Sequence, residues 1–499
     1  MREEIQKLKP RVKTLLLIIF ILTLAFRLYF AYQTPYYSDS EAYLNIRNIE
    51  DIKSGDFSFT DDLSFSGRSL YALPVFHFIF AGLSFVIGDF AFKVIPEILA
   101  SFLVILVFLI SKRVCNDDRS SLFAAFSAGF MPLLFSTFFN NLSQSLFFII
   151  LILYMLYCFM RINESIYFNQ FILLAFLLPL INLYYFAVIF LFVIYLLLAR
   201  SESLKIARVK KEILVFSILL GFLMSFIIFK KPLLNLGLSV FWQNTPTTLL
   251  NSYFAEFSVI EVIFGLGLIP ILFGIYGIYH GIAKKKDENI FLFSSFGLTL
   301  LILLILRLVR PDFGLVLFGI SIIIFSSVGY SLFFEYLDIT KFSSNFELIK
   351  KGLFILLFLS IVIPSLIAVN NTLDHTITDE EYNALLWLRS EADTGEILSS
   401  YEEGDYISSI AERKNLIDTN FLYAKNINKR FDELMEIYTT KSDVKAKTLA
   451  DKYFVSYIYV TRRTKELYNL EEVEFTKDER CFRKAWSEGE TAVYKTKKC

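Results

Sequence analysis

"LYALPVFHFIFAGLSFVIG", residues 70–88, is apolar enough to enter a bilayer yet holds Pro74 and His77 near its start. If it crosses, every later segment changes side, so the topology turns on this stretch. Its surroundings are apolar throughout. Of 499 residues, 55% are hydrophobic, 17% are aromatic and 55 are Phe, more than a soluble core could cover. Mean hydropathy is +0.55. The chain therefore reads as a polytopic α-helical membrane protein. Lys+Arg and Asp+Glu each total 49, so the balanced charge gives no sign of a nucleic-acid partner.

A bilayer core about 30 Å thick needs roughly 20 apolar residues per helix. Runs of that kind lie near 14–33, 91–111, 120–138, 143–160, 213–229, 259–282, 289–306, 313–336 and 351–369, and 170–199 divides at Pro179 and Asn182 into two short spans. That predicts about eleven spans, with residues 70–88 left over. With that stretch outside the count and the N-terminus cytoplasmic, the later cytoplasmic loops hold 15 Lys and Arg, against 4 (Lys230, Lys231, Arg307 and Arg310) on the other side. The positive-inside rule thus favours a juxtamembrane or re-entrant segment at the outer face. The first run, with no small-residue cleavage site behind it, reads as a retained anchor.

This parity makes the protein a multi-pass cell-membrane protein whose loop 34–69 and C-terminal part face outward. Residues 1–370 form the membrane domain, including an outer loop 34–90, and residues 371–499 a small extracytoplasmic α/β domain. In the latter, "DEEYNALLWLRSEA" and "KAKTLADKY" are helix-like, and "EILSSY", "NLIDTN", "VSYIYV", "CFRKAW" and "TAVYKT" strand-like. Cys481 and Cys499 could pair if the tail meets an oxidising compartment.

No GxGxxG, P-loop, CxxC, HExxH or GxSxG occurs. What remains is polar groups at the outer face, foremost Asp39 and Glu41 in "YYSDSEAYLNIR", residues 36–47. Ser38-x-x-Glu41 has capping-box spacing, so the pair is expected to open a surface helix running to about Asp51. A carboxylate at the foot of a span is also partly desolvated, which makes it a functional candidate. Asp51, Asp56, Asp61 and Asp62 read as solvated loop charges.

The acidic pair after the first span, then "GRSLYALPVFHFIFAGLSFVIGD" before a span ending in "SKR", then "AAFSAGFMPLLFSTFFNN", resemble the GT-C class of integral-membrane glycosyltransferases. That class includes protein O-mannosyltransferases, aminoarabinose transferases of lipid A and the catalytic subunit of oligosaccharyltransferase. "RLVRPDFGLVLFG" is similar to the late R-Y-x-x-P motif of the class, and "YEEGDY", Tyr401 to Tyr406, stands where oligosaccharyltransferases have W-W-D-Y-G. The resemblance implies inverting transfer of a sugar from a polyprenyl-phosphate-linked donor to a protein or glycolipid acceptor at the outer face, among membrane lipids. It implies Asp39 as base, with Glu41 supporting it or sharing a divalent cation such as Mg or Mn. Arg68, Arg307 and Arg310 become candidates for the lipid phosphate, although arginines at helix ends also snorkel to headgroups. Asn140, Asn141, Glu256 and His77 are further candidate substrate contacts. The competing readings are en bloc glycan transfer as in oligosaccharyltransferase, a glycolipid transporter or flippase using the intramembrane charges Lys93 and Glu97, and a fold that only binds glycolipid.

Overall fold

The computed structural model describes residues 8–70, 74–255, 258–340, 345–477, 479–497 and 499. In hydrocarbon a backbone amide has no water to bond, so the apolar runs close their hydrogen bonds within helices. The first is α1 (Pro10–Ala31), followed by α2 (Ser40–Ser54), the hairpin of β1 (Thr60–Asp61) and β2 (Arg68–Ser69), and α3 (Val75–Ile87). Then come α4 (Phe90–Cys115), α5 (Asp118–Gly129), α6 (Pro132–Phe138), α7 (Gln144–Met160), α8 (Ser165–Ile181), α9 (Tyr185–Ser201) and α10 (Arg208–Leu236). The membrane part closes with α11 (Thr247–Ala255), α12 (Val259–Leu266), α13 (Leu268–His280), α14 (Glu288–Ile305), α15 (Pro311–Ile339) and α16 (Phe346–Asp374).

Among the described residues, 7 helical stretches are long and apolar enough to cross a membrane, and the pair α12–α13, bent by 94°, makes an eighth. The bend falls at Gly267 (φ 84°), where a Cβ would lie 2.8 Å from Ile361. The apolar α7, α8 and α9 have 17 residues each, about 25 Å at 1.5 Å per residue. Helix α3 has 13 residues, about 20 Å, which is too short for a core of about 30 Å. It turns Phe76 and Phe80 inward and leaves Phe85 and Val86 71% and 83% exposed.

Helix α15 is the hub, buried along most of its length. Helix α13 presses against it through glycines: a Cβ on Gly277 would stand 2.1 Å from the Phe325 carbonyl oxygen, and one on Gly329 2.2 Å from that of Phe273. Small residues let helix backbones approach where lipid offers no competing hydrophobic drive. Outer helices α1, α10 and α16 instead expose Leu22, Phe222 and Ile363, as suits contact with acyl chains. The intramembrane charges are tied down. Arg27 and Glu97 form an ion pair that neither side chain shares with solvent, Arg27 Nη2 also donates to the Phe138 carbonyl (3.1 Å), and Lys93 donates to the Thr34 carbonyl.

Beyond α16, which runs unbroken past residue 370, come α17 (Asp379–Ser390), β3 (Glu396–Leu398), α18 (Gly404–Ser409), β4 (Lys414–Asn415), α19 (Ile427–Thr439) and α20 (Asp443–Lys452). They are followed by β5 (Val455–Val460), α21 (Arg462–Leu467), β6 (Phe482–Glu488) and β7 (Thr491–Thr496). The sheet order is β4-β3-β5-β7-β6, with β3 parallel to both neighbours and the rest antiparallel. Cys481 and Cys499 are disulfide-bonded, with Cα atoms 5.1 Å apart. This region docks on α2: Tyr43 packs edge-on against Tyr406 at 5.2 Å, and Tyr36 donates its hydroxyl to Asp379 at 2.6 Å.

Candidate functional site

The start of α2 differs from the expected capping box by one residue. Asp39 is the N-cap, in extended backbone (φ −134°, ψ 144°), and its Oδ1 accepts the Glu41 N–H at 3.0 Å. Ser38 is drawn away because its hydroxyl donates to the Phe139 carbonyl at 2.6 Å. The helix continues to Ser54 and closes on Gly55 in the left-handed region (φ 83°), where glycine has no Cβ penalty. Asp39 and Glu41 consequently sit in the first turn, where backbone N–H groups favour anions.

Both carboxylates line a cavity of about 760 Å³ between one end of the helices and the C-terminal region. Its walls come from α2, the end of α6 (Thr137, Phe138), the start of α7 (Gln144), Asn182 and Tyr184, and Arg310 with Asp312 at the head of α15; Thr419, Asn420 and Tyr423 close it from the C-terminal side. A side chamber of about 170 Å³ shares Gln144, Asn182, Gln243 and Arg310 and runs on between Phe229 and Phe421. Of the residues expected from sequence, Asp39, Glu41, Arg68, His77, Asn141 and Arg310 meet at this cavity.

Their environments differ. The Glu41 carboxyl is pushed up to about 7, first by burial and then by the Asp39 charge, against the opposing pull of Arg310 and Asn45. Asn141 Nδ2 points at Asp39 Oδ2 across 3.5 Å. Arg310 caps α15, donates its backbone N–H to the Tyr184 hydroxyl (3.3 Å) and Nη2 to Asp312 (2.9 Å), and leaves 45% of its side chain uncovered. The Asp312, Tyr253, Tyr184 and Glu41 groups around it hold it firmly cationic. His77 donates to or accepts from Asn45 Oδ1 at 2.9 Å, and burial lowers its pKa to about 4, so the ring is neutral.

Other candidates have structural partners. Arg68 Nη1 bonds both oxygens of Asp418 (2.8 and 3.0 Å), and Nη2 reaches Asp61 at 3.4 Å. Asp61 also pairs with Arg47 at 2.7 Å; contrary to its reading as a solvated loop charge, it is buried, because two guanidinium groups converge on it. Asn140 has φ 51°, turning it away from its neighbour Asn141. Its N–H donates to Glu97 (2.7 Å) and its Nδ2 to the Tyr36 carbonyl (2.8 Å). Arg307 lies in an adjoining crevice that shares Tyr184, Gln243 and Arg310 with the cavity, donating to Asn251 at 2.7 Å and covering Phe254. Glu256 lies outside the described residues.

None of the "YEEGDY" positions lines the cavity, and all but Glu402 are buried. Glu403 accepts from the Ser400, Thr461 and Thr464 hydroxyls, and Gly404 is required because a Cβ would stand 1.8 Å from the Ile417 carbonyl oxygen. Asp405 lies under α2, with burial and Asp418 raising its carboxyl well above the usual range. Sequence reasoning missed Asp312, Gln144, Thr419 and Asn420. An acid two residues past Arg310 was readable in "RLVRPDFG", whereas Thr419 and Asn420 sat in a segment read as a strand, of which only Asn415 joins β4.

For a divalent cation the donor set is thin. Among the described residues no three His, Cys, Asp or Glu side chains group as metal ligands. Asp39 and Glu41 alone do not make a cation site.

No protein-family model and no curated protein sequence matches the chain. Solved structures do. The oligosaccharyltransferase of Archaeoglobus fulgidus in its apo form aligns with a TM-score of 0.70 and 12% identity over 90% of this chain and 69% of its own. The mycobacterial arabinofuranosyltransferase AftD aligns at 0.54 and 12% identity, over 96% of this chain but 40% of its own. ArnT of Cupriavidus metallidurans, bound to undecaprenyl phosphate, aligns at 0.51 and 9% identity over 97% of both chains. The chain therefore has the fold of the GT-C integral-membrane glycosyltransferases.

Proposed function

We propose that this protein transfers a sugar from a polyprenyl-phosphate-linked donor to an acceptor at the outer face of the membrane, with inversion. Arg310 bordering the same cavity as Asp39 and Glu41 is the observation that carries the reading. In a single displacement the acceptor hydroxyl attacks the anomeric carbon and gives its proton to the Asp39 carboxylate, while the anomeric carbon–oxygen bond breaks and its electron pair leaves on the phosphate. Arg310 holds that phosphate, to which a guanidinium fork is matched in shape and charge. Asn141 orients Asp39. Glu41, carrying a proton for part of the time at neutral pH, adds less repulsion toward phosphate than a second full carboxylate and gives the pair two distinct proton affinities.

The neighbours support a lipid-linked donor in their own right: one structure of the Archaeoglobus fulgidus enzyme AglB holds a dolichol-phosphate and an inhibitory peptide, and ArnT holds undecaprenyl phosphate. Counting α7, α8, α9 and the bent pair as spans gives eleven, which with a cytoplasmic N-terminus puts the cavity and the domain beyond residue 370 outside. The test is purified Asp39→Asn protein. Turnover of polyprenyl-phosphate sugar is expected to collapse while polyprenyl phosphate still binds, and a wild-type rate would overturn the reading. Protease access to the C-terminal region in intact cells tests the topology.

A further inference from the structure

A second cavity, about 560 Å³, lies on the other side of the wall that bears Asp39. Asp39 borders the polar cavity, whereas its chain neighbour Ser38 borders this groove. The rest of the partition is double-faced in the same way. Helix α6 gives Thr137 and Phe138 to the cavity and Leu133 and Ser136 to the groove, and α15 gives Arg310 and Asp312 to one and Leu315 to the other.

The groove is apolar at one side and polar at its mouth. Phe264 on α12 and Ile367 on α16 line it while 62% and 57% exposed, on helices otherwise suited to acyl chains. At its mouth stand Ser38, Ser136, Glu261, Asn371, Thr372 and His375. Charge separates the two chambers: the cavity has the partly open guanidinium of Arg310, whereas among the described residues no lysine or arginine lines the groove and Glu261 brings a carboxylate to it. Hydroxyl, amide, imidazole and carboxylate groups are hydrogen-bonding partners for sugar hydroxyls. Without a cation they make a poor seat for a phosphodiester.

From this sorting we infer that the groove binds the acceptor, and that the acceptor is a lipid whose headgroup is an uncharged sugar. Its hydrocarbon lies between α6, α12 and α16, and its sugar hydroxyl meets the Asp39 wall from the face opposite the donor phosphate. This rests on the transferase reading above and adds the acceptor class to it.

The experiment measures lipid retention by native mass spectrometry, using the full-length protein in nanodiscs containing three probes: monoglucosyl diacylglycerol, phosphatidylglycerol and polyprenyl phosphate. Wild-type protein is expected to retain the glucosyl lipid over phosphatidylglycerol. Leu133→Trp and Ile367→Trp, which fill the groove from two different helices, are each expected to lower glucosyl-lipid retention about tenfold while polyprenyl phosphate stays bound, which also reports that each variant is folded. Equal retention of phosphatidylglycerol, unchanged glucosyl-lipid retention in both variants, or loss of polyprenyl phosphate instead would overturn the proposal, the last by assigning the groove to the donor chain. Retention as expected with no effect of Asp39→Asn on donor turnover would sink the transferase reading and leave the lipid site standing.

Discussion

Of the three arginines that border the polar cavity, Arg68 on the β1–β2 hairpin and Arg310 at the head of α15 differ most. The Arg68 side chain keeps 2% of its surface, and its charge is met by Asp418 and Asp61. Arg310 keeps 45% of its side chain open and has one carboxylate partner, Asp312, which is itself 38% open. The first set spends its charge on joining the hairpin to the C-terminal region, 350 residues away. The second retains donors facing the cavity. What separates the structural ion pair from the one proposed to meet substrate is how much of the arginine side chain stays open, 2% against 45%, and the residue type is the same in both.

Mutations can break or sharpen that contrast. Asp39→Asn, on the open side, is expected to lower kcat by about 10²–10⁴-fold, the range of a general base, with polyprenyl-phosphate affinity retained in a binding assay. Arg68→Met, on the closed side, leaves Asp418 buried without its partner and should destabilise the fold by about 3–5 kcal/mol, read as a lowered Tm in detergent; adding Asp418→Leu should recover much of the loss. Arg310→Lys keeps the charge but loses the fork, and about a tenfold drop in kcat with little change in Tm is expected; a large Tm change would place Arg310 with Arg68.

The smallest effect concerns Glu41. Its carboxyl titrates near 7 in the folded protein and about 4.3 when unfolded, so between those values the folded state binds the extra proton. Stability from this group is therefore full below about 4.3 and declines as pH rises toward 7. Glu41→Gln should flatten that part of the Tm-against-pH curve, and an unchanged slope would assign the titration elsewhere.

Long features were legible in the sequence. Apolar runs located the helices, and the distribution of Lys and Arg kept residues 70–88 out of the span count, which agrees with the shortness of α3. Asp39, Glu41 and Arg310 were readable because each sits at a helix start beside an apolar run. Contacts set by distant chain or by a single dihedral were hidden. Asp61 looked like one of four loop acids until Arg47 and Arg68 closed on it. Nothing in "NN" announces that a positive φ turns Asn140 toward Glu97 while Asn141 faces Asp39. Helix α19 carries an apolar face made of Phe431, Leu434 and Tyr438, spaced for a helix but overlooked between strand-like "NLIDTN" and helix-like "KAKTLADKY".

The buried Arg27–Glu97 pair has a consequence for how this chain can drift. Glu97 holds the amide of Asn140, one position from the side chain that meets Asp39, so a rung hidden among lipid-wrapped helices sets the level of the residues above it. Losing either partner alone would strand a lone charge in hydrocarbon and loosen that level at once. Positions 27 and 97 are therefore bound to change together or not at all, and a double exchange to apolar side chains would spare the helices while leaving the Asn140 amide unmoored.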